Sequence, residues 1–344
     1  MRFDSILFDV DGVLVDIRKS YNETIRRTVE LVINQLSNDA EKVHSSKPSS
    51  ANSSEAANRP LPRKPSLNIR RIITDRLILR FRQSGGFNND TDTSYAITLA
   101  LLVNPQRSNV SASRYLSKIA ENSDETGISS VESFLDKQSH GIAAYKKALA
   151  YPPDKTTESP LARVFDELFY GPVLFRKQNK AEPKYFVDKG RKTHPMIKND
   201  KVAITERTLR TLSKELHGNL AMVTGRSKVA SEYSLGKLMR YFNSSGCVFL
   251  EDEPRVHAKP NPYGIIHAMK MMNAKNAVYA GDSTEDLLMA KRAVQYEPSL
   301  SITFVGIYGF SPLPFQTANR FKQSGVPTAR DVNQLPTIIQ KLQG

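Results

Sequence analysis

The fold is decided by the stretch FDSILFDVDGVLVD at residues 3–16. Its apolar run ILF, residues 6–8, is typical of a parallel strand that is covered on both faces. The run stops at Asp9 and Asp11, which lie two residues apart and therefore on one side of an extended chain, and Gly12 permits a sharp turn. Ligands of open parallel sheets bind at the carboxyl ends of the strands. The stretch therefore predicts a ligand site with two carboxylates, with a plain Asp-Gly turn as the alternative.

The composition indicates a globular protein that keeps its cysteine reduced. A chain of 344 residues with 39% hydrophobic content is long enough for two domains. Cys247 is the only cysteine, so no intrachain disulfide can form and a reducing, cytoplasmic location is expected. The first residues lack the basic-then-apolar order of a secretory signal, and no apolar stretch approaches membrane-spanning length. We therefore expect no membrane partner, and a monomer or a homodimer.

The net charge of +14 raises the question of an anionic partner. Lysine and arginine neutralise phosphates, so a basic chain can bind nucleic acid, and it can also attract small phosphorylated metabolites. The basic residues form short scattered pairs such as Arg70-Arg71 and Lys146-Lys147, with no dense block and no aromatic-interleaved stripe. This distribution favours a solvated basic surface over nucleic-acid binding.

Residues 19–199 predict a mostly helical domain. Ser20 and Glu23 have the spacing of a capping box, and apolar residues follow at helical intervals. Residues 38–66 are rich in Ser, Asn, Ala, Pro and Lys, a composition that buries too little apolar surface to order itself, and they predict a disordered insertion. Further helices are predicted over residues 129–149 and 160–169, with Gly171-Pro172 as a stop.

One loop in this helical block is unusually polar. It is GGFNNDTD, in which Phe87, Asn88, Asn89 and Asp90 follow two glycines. Asn and Asp at this place can cap the next helix. The same density of polar groups beside one Phe suits a loop that contacts a polar ligand. Both interpretations stay open, and the second makes these four residues candidate substrate-binding groups.

From residue 200 onward the pattern alternates between strand and helix. Apolar strands are predicted at residues 220–223, 248–250, 277–280 and 302–306, and a closing helix is predicted at 335–342. No parallel strand is predicted between Asp16 and about Asp200. The sequence therefore predicts a discontinuous α/β domain, residues 1–18 and 200–344, that carries an inserted helical domain, residues 19–199.

Polar residues follow two of these strands, and one polar residue precedes a predicted helix. Thr224 and Gly225 follow the strand at 220–223, where a hydroxyl and free backbone N–H groups can bind phosphate or simply cap a helix. Lys259 precedes a helix, where a solvated lysine is the ordinary interpretation. Asp282 follows the strand at 277–280, and a carboxylate there can complete an oxygen-rich site for Mg²⁺ with Asp9. Asp286 fits such a site too, or it closes a capping box with Ser283.

Taken in order, the motifs DVDGVLVD, TGRS, KPNP and GDSTEDLLMA resemble those of the haloacid dehalogenase (HAD) superfamily. The resemblance implies a Rossmann-like, doubly wound parallel sheet with an inserted α-helical cap domain. The position of the insertion, directly after the first motif, resembles the group of phosphoglycolate phosphatase and β-phosphoglucomutase. The cap is longer here than that pattern and contains the low-complexity segment.

The resemblance also implies roles for the motif residues. Asp9 would be the nucleophile that forms an aspartyl-phosphate, and Asp11 would be the acid/base. Thr224 would hold the phosphoryl group, and Lys259 would balance its charge. Mg²⁺ would be bound by Asp9, by the backbone carbonyl of Asp11 and by Asp282, with Asp286 supporting the water shell of the metal.

The leading prediction is a Mg²⁺-dependent phosphomonoesterase for a small phosphorylated metabolite. A phosphomutase would use the same aspartates, and nothing in the sequence separates the two. A basic nucleic-acid-binding or regulatory module on the same fold is the alternative from another class. The acids argue against this alternative, because nucleic-acid binding or regulation does not require three carboxylates together at strand ends. These acids are Asp9, Asp11 and Asp282.

Overall fold

The computed structural model describes residues 2–45, 67–87, 89–106, 108–138, 141–185 and 194–344, without the side chains of 39–45. The chain forms two compact units. The sheet unit comprises Met1–Asn22, Val173–Lys180 and His194–Gly344, and the helical unit comprises Glu23–Pro172 and Ala181–Thr193. Their limits lie close to the predicted domain boundaries, except that Val173–Lys180 groups with the sheet. That the two units are separate folding domains stays a prediction.

The sheet unit is built on six parallel strands in the order β5-β4-β1-β6-β7-β8. The strands are β1 (Ser5–Phe8), β4 (Leu220–Thr224), β5 (Val248–Phe249), β6 (Asn276–Gly281), β7 (Ser301–Ile307) and β8 (Thr328–Ala329). The three strands β1, β4 and β6 are buried along almost their whole length, as their apolar runs predict. The predicted α/β class with a parallel sheet is confirmed.

The register of β1 brings the predicted site residues to one edge of the sheet. Phe8 pairs with Met222 of β4 on one side and with Ala280 of β6 on the other. The three strands therefore end at the same edge of the sheet. Asp9 directly follows Phe8, and Thr224 and Asp282 come two residues after Met222 and Ala280.

The sheet is flanked by six helices among the described residues of this unit. They are α9 (Glu206–Glu215), α10 (Lys228–Leu235), α11 (Tyr263–Met271), α12 (Thr284–Tyr296), α13 (Pro314–Gln323) and α14 (Leu335–Gln343). One core cluster joins Leu7, Val223 and Tyr279 of the sheet to Ile265 and Met269 of α11. Burial of these apolar side chains holds the strand ends, and with them the site, in a fixed arrangement.

The chain after Asp11 is held by a short two-stranded pair. β2 (Val15–Asp16) and β3 (Lys201–Val202) are antiparallel, and the main-chain oxygen of Leu14 accepts a hydrogen bond from Ala203 N. Strands of two residues have no hydrophobic pattern of their own, and the sequence did not predict them. The pair brings Asp200, which directly precedes β3, into the same unit as the first motif.

The helical unit contains the described helices of residues 23–172. They are α1 (Tyr21–Ser45), which starts in the sheet unit, α2 (Ile69–Ile72), α3 (Asp75–Gln83), α4 (Asp90–Val103), α5 (Asn109–Glu121), α6 (Ile128–Gln138), α7 (Ile142–Leu149) and α8 (Pro160–Asn179), which ends in the sheet unit. Helix α4 is buried from Asp90 to Leu102 and forms the centre of this unit. A helix that is buried all round is expected at the middle of a helical bundle.

Two helix predictions need correction, and one is confirmed. The single helix predicted over residues 129–149 is two helices, α6 and α7, and Gly141 with φ 122° precedes α7. The predicted stop at Gly171-Pro172 is confirmed, because Gly171 has φ 66° and ψ 173°, a non-helical conformation open mainly to glycine that separates the two helical parts of α8. Helix α1 runs to Ser45 and so reaches into the range predicted to be disordered, while the rest of that range, residues 46–66, lies outside the described residues.

None of the described helices is long and apolar enough to cross a bilayer.

Candidate active site

Asp9 lies at the point where the central strand β1 leaves the sheet. Its backbone N–H donates to Ala280 O at 2.9 Å, which ties it to the neighbouring strand β6. Its side chain is buried, and burial raises the pKa of Asp9, while the ammonium of Lys259 and a hydrogen bond from Thr224 act in the opposite direction. The carboxylate of Asp9 therefore lies close to the ammonium of Lys259 and to the hydroxyl of Thr224 at the end of β4.

Lys259 links two of the predicted acids. Its ammonium nitrogen Nζ lies 2.8 Å from Asp9 Oδ1 and 2.7 Å from Asp286 Oδ1. Burial alone would lower the pKa of Lys259, but the two carboxylates raise it above the ordinary lysine value, so the side chain stays charged. The interpretation of Lys259 as a solvated surface lysine is therefore excluded, since only 6% of the residue is exposed.

Asp286 is satisfied by protein groups on both of its carboxylate oxygens. Oδ1 accepts from the Tyr279 hydroxyl at 2.7 Å and contacts Lys259, and Oδ2 accepts from Ser283 Oγ at 2.7 Å and from Ser283 N at 3.1 Å. The pKa of Asp286 is lowered, because the attraction of Lys259 and these hydrogen bonds outweigh the effect of burial. Ser283 and Asp286 form the capping box of α12 that their spacing predicts. Asp286 therefore fixes Lys259 and the start of α12.

Asp282 lies against the backbone of Gly12. A Cβ atom at position 12 would lie 1.9 Å from Asp282 Oδ2, and Gly12 has a φ of +78°. Both facts require glycine, the first because there is no room and the second because other residues rarely adopt this conformation. The glycine thus lets the carboxylate of Asp282 approach the loop that carries Asp9 and Asp11.

The three acids Asp9, Asp282 and Asp286 form a cluster whose candidate ligand oxygens all lie within 4.8 Å of one another. Hard oxygen donors of this kind fit Mg²⁺, which prefers carboxylates and water over nitrogen or sulfur ligands. Asp286 also accepts hydrogen bonds from neighbouring protein groups on both of its oxygens. The donor set therefore fits the predicted cofactor.

In the turn after β4, fewer groups can bind an anion than the sequence predicts. Two of its backbone N–H groups have acidic partners: Ser227 N donates to Glu251 Oε2 at 2.9 Å, and Lys228 N donates to Asp252 Oδ2 at 2.8 Å. Arg226 N donates to Thr224 Oγ1 at 3.2 Å. In the described part of the chain, the N–H of Gly225 is the remaining backbone donor of this turn for a phosphate oxygen, and the hydroxyl of Thr224, which here bonds Asp9, can bind one when it turns from that carboxylate.

Asp11 points its carboxylate at a buried arginine. Arg226 Nη1 donates to Asp11 Oδ1 at 2.6 Å, and the Arg226 side chain is fully buried. Burial raises the pKa of Asp11 to about 7, against the lowering effect of Arg226. A carboxyl group with such a pKa can hold and release a proton near neutral pH, as an acid/base catalyst must.

Arg226 and Asp200 are the site residues that the sequence did not single out. Arg226 also contacts Asp200 Oδ2 through Nη2. The sequence signal for Arg226 was its place in TGRS, directly after the strand-end Thr224, but an arginine there is expected to be solvated. Asp200 carries no recognisable signal, because its partners lie far away in the sequence.

The four candidate substrate residues belong to the helical unit. Phe87 is buried and packs edge-on against Phe81, with 5.1 Å between the ring centroids. Asn89 is the N-cap of α4, as the capping alternative predicts, and its side chain accepts from Thr91 N at 2.8 Å. Asp90 Oδ1 accepts from Arg82 Nη2 at 2.6 Å. Asn88 lies outside the described residues, and a role of these residues in substrate binding stays a prediction.

The family assignment follows from a comparison with known proteins. A model of the family described as haloacid dehalogenase-like hydrolase matches residues 3–293. This match covers most of the chain, so the protein belongs to the haloacid dehalogenase-like hydrolase family. The predicted family, and with it the prediction of a hydrolase, is confirmed.

Solved structures give looser matches. Phosphatase Tt82 from Thermococcus thioreducens is 18% identical, with a TM-score of 0.49 over 92% of this chain and 98% of that one. A hydrolase from Pseudomonas syringae is 13% identical, with a TM-score of 0.41 over 98% of each chain. No curated protein matches the chain closely enough to count as a relative. The assignment therefore rests on the family match and on the site itself.

Proposed function

We propose that the protein is a Mg²⁺-dependent phosphomonoesterase that acts on a small phosphorylated metabolite through an aspartyl-phosphate on Asp9. The observation that carries the proposal is the position of Lys259 between Asp9 and Asp286, 2.8 and 2.7 Å from their oxygens, beside Thr224 and Asp282. Phosphoryl transfer depends on positioning and on neutralising charge, and this set of groups supplies both.

In the first half of the reaction, a carboxylate oxygen of Asp9 attacks phosphorus and the ester P–O bond breaks. The leaving alkoxide takes a proton from Asp11, so the alcohol departs neutral. Lys259 offsets the negative charge of Asp9 and of the incoming phosphate, which would otherwise repel each other. The hydroxyl of Thr224 and the N–H of Gly225 hold the oxygens of the transferred group.

In the second half, the ionised Asp11 removes a proton from a water molecule, and that water attacks phosphorus. The bond between phosphorus and Asp9 breaks, which releases inorganic phosphate and restores both aspartates to their starting states. Each proton that leaves Asp11 in the first half returns to it in the second. The cycle therefore needs no other proton donor.

Asp9 and Asp282, with the backbone carbonyl of Asp11, would hold Mg²⁺, and the ion would supply positive charge to the anionic substrate. Asp286 would act through its hydrogen bonds, because it fixes Lys259 and the backbone of Ser283. This role of Asp286 is supported by its own contacts, because protein donors reach both of its carboxylate oxygens.

The proposal is tested by a screen of phosphorylated metabolites for released phosphate, with Mg²⁺ and with EDTA in its place. We expect release that disappears with EDTA and returns with added Mg²⁺. Asp9→Asn keeps the shape of the side chain but is a poor nucleophile and a poor metal ligand, so it should abolish release while the protein still folds. Asp136→Asn, the same change at an exposed position of α6, is the control and should have wild-type activity.

Other outcomes would contradict the proposal. An Asp9→Asn variant with undiminished Mg²⁺-dependent release would show that Asp9 is not the nucleophile. Conversion of a phosphorylated sugar to its isomer without free phosphate would identify a phosphomutase that uses the same aspartates. Absence of both products across the screen, with Mg²⁺ bound, would argue against a phosphoryl-transfer enzyme.

A further inference from the structure

A buried chain of charges runs through the sheet unit next to the proposed acid/base. Arg226 lies between two carboxylates: Nη1 donates to Asp11 Oδ1 at 2.6 Å, and Nη2 is bonded to Asp200 Oδ2. Arg226 is 1% exposed, and the side chain of Asp200 is 4% exposed. The cation of Arg226 and the carboxylate of Asp200 are thus held in the interior of the unit, and Asp11, whose side chain is 23% exposed, lies at its edge.

Further contacts hold this chain of charges in place. Ser234 Oγ donates to Asp200 Oδ2 at 2.7 Å and accepts from Arg226 Nη2 at 2.9 Å. Ser20 Oγ donates to the other oxygen of Asp200. The guanidinium carbon of Arg226 lies 5.6 Å from the centre of the Tyr21 ring. Four separate segments of the chain therefore fix the direction in which Arg226 points.

The stability of the fold does not account for this arrangement. Buried ion pairs add little net stability compared with apolar side chains of the same size, because charges lose their hydration on burial. Both terminal nitrogens of Arg226 are bonded to Asp11, Asp200 and Ser234, so its charge is directed at these groups and not at a substrate. What remains for Arg226 to act on is Asp11.

We propose that Arg226 is a positioning residue that binds Oδ1 of Asp11, so that Oδ2 is the oxygen that carries the proton to and from the reaction. The inference rests on the proposed phosphomonoesterase function. An N–H of Arg226 can only donate, and the carbonyl oxygen of a protonated carboxyl group is a better acceptor than its hydroxyl oxygen, so this contact favours the proton on Oδ2. On the side away from Asp11, Nη2 of Arg226 bonds to Asp200, which in turn accepts hydrogen bonds from Ser20 and Ser234.

The test uses two phosphate esters that differ in their need for proton donation. A simple alkyl phosphate needs a proton on its leaving oxygen, whereas p-nitrophenyl phosphate has an acidic leaving group and needs little help. We expect Arg226→Gln to lower kcat for the alkyl ester by about 100-fold or more, which is the usual contribution of general acid catalysis. The same change should lower kcat for the aryl ester far less. Asp11→Asn should show the same selectivity.

Three further variants complete the design. Arg226→Lys should recover part of the alkyl-ester activity, because, unlike Gln, it keeps a positively charged donor toward Asp11. Asp200→Asn should show a weaker loss with the same selectivity. In the double variant Asp11→Asn/Arg226→Gln the loss should be no larger than in Asp11→Asn, because both act on one proton transfer. Arg240→Gln removes an exposed arginine that pairs with Glu206 and is the control with unchanged kinetics.

Several results would overturn the inference. Equal losses for both esters with a lower Tm would assign Arg226 a role in folding alone. A higher KM for both esters with unchanged kcat would make it a phosphate-binding group. If Arg226→Gln does not fold, Arg226→Lys and Asp200→Asn carry the test, and unchanged selectivity in both contradicts the inference. A wild type that releases phosphate from neither ester, nor from any screened metabolite, would instead refute the proposed function.

Discussion

Lys259 is the residue on which the charge balance of the site depends, because it contacts the carboxylates of Asp9 and Asp286 at once. Its removal would leave those two acids buried without a cation. Such uncompensated charges destabilise a fold by about 3–5 kcal/mol. A divalent ion bound at the same acids would replace part of the lost charge.

We therefore predict that Lys259→Met lowers kcat by about 100-fold or more, lowers the Tm without Mg²⁺, and gains more Tm from added Mg²⁺ than the wild type does. Thermal unfolding at increasing Mg²⁺ and steady-state kinetics measure both effects. Lys270→Met, an exposed lysine of α11, is the control. A variant with the same response to Mg²⁺ as the wild type would contradict the contact of Lys259 with the metal-binding acids.

Gly12 gives a second prediction at this scale. Gly12→Ala should push Asp282 away, since the new Cβ would lie 1.9 Å from its Oδ2, and should raise the Mg²⁺ concentration needed for half-maximal activity by about tenfold or more. Gly218→Ala is a matched control, because Gly218 has a similar φ of +84° but no atom within 4 Å of an added Cβ. If both variants lose metal affinity equally, backbone strain and not the displacement of Asp282 is the cause.

Among the elements of the helical unit, α4 allows a direct test of the two interpretations of GGFNNDTD. Because Asn89 caps α4, Asn89→Ala should lower the free energy of unfolding by about 1 kcal/mol, whereas Asn89→Asp keeps the cap and should not. Chemical denaturation measures both. A larger loss of kcat/KM for the true substrate than for a small ester, in Asn89→Ala or Asn88→Ala, would show that the loop contacts substrate.

The elements also show which parts of the structure a sequence can reveal. Buried parallel strands appear as continuous apolar runs, so β1, β4, β6 and β7 were predictable, and so were the acids that follow β1 and β6. The strands β2, β3 and β8 were not, since two residues carry no periodicity. The burial of Arg226 was not predictable either, because it depends on Asp11 and Asp200, which only the folded chain brings together.

At the scale of the whole molecule, the net charge of +14 should act on any anionic substrate. A positive protein attracts a phosphorylated metabolite over distances that salt screens, with a Debye length of about 10 Å at 0.1 M. We predict that kcat/KM falls a few-fold when KCl rises from about 0.05 to about 0.5 M, while kcat changes little. Initial rates at low and at saturating substrate separate the two. Equal falls in both would indicate an effect of salt on the chemical step.

The central place of β1 in the sheet has a consequence for how the protein is made. Ile6 pairs with Leu220 and Ser5 pairs with Ala277, so β1 leaves the ribosome before both of its partner strands, which lie in the second half of the chain. At synthesis rates of about 5–20 residues per second, β1 stays unpaired for on the order of ten seconds or more. During that interval the nascent chain displays an unpaired apolar strand, which is the kind of segment that chaperones bind.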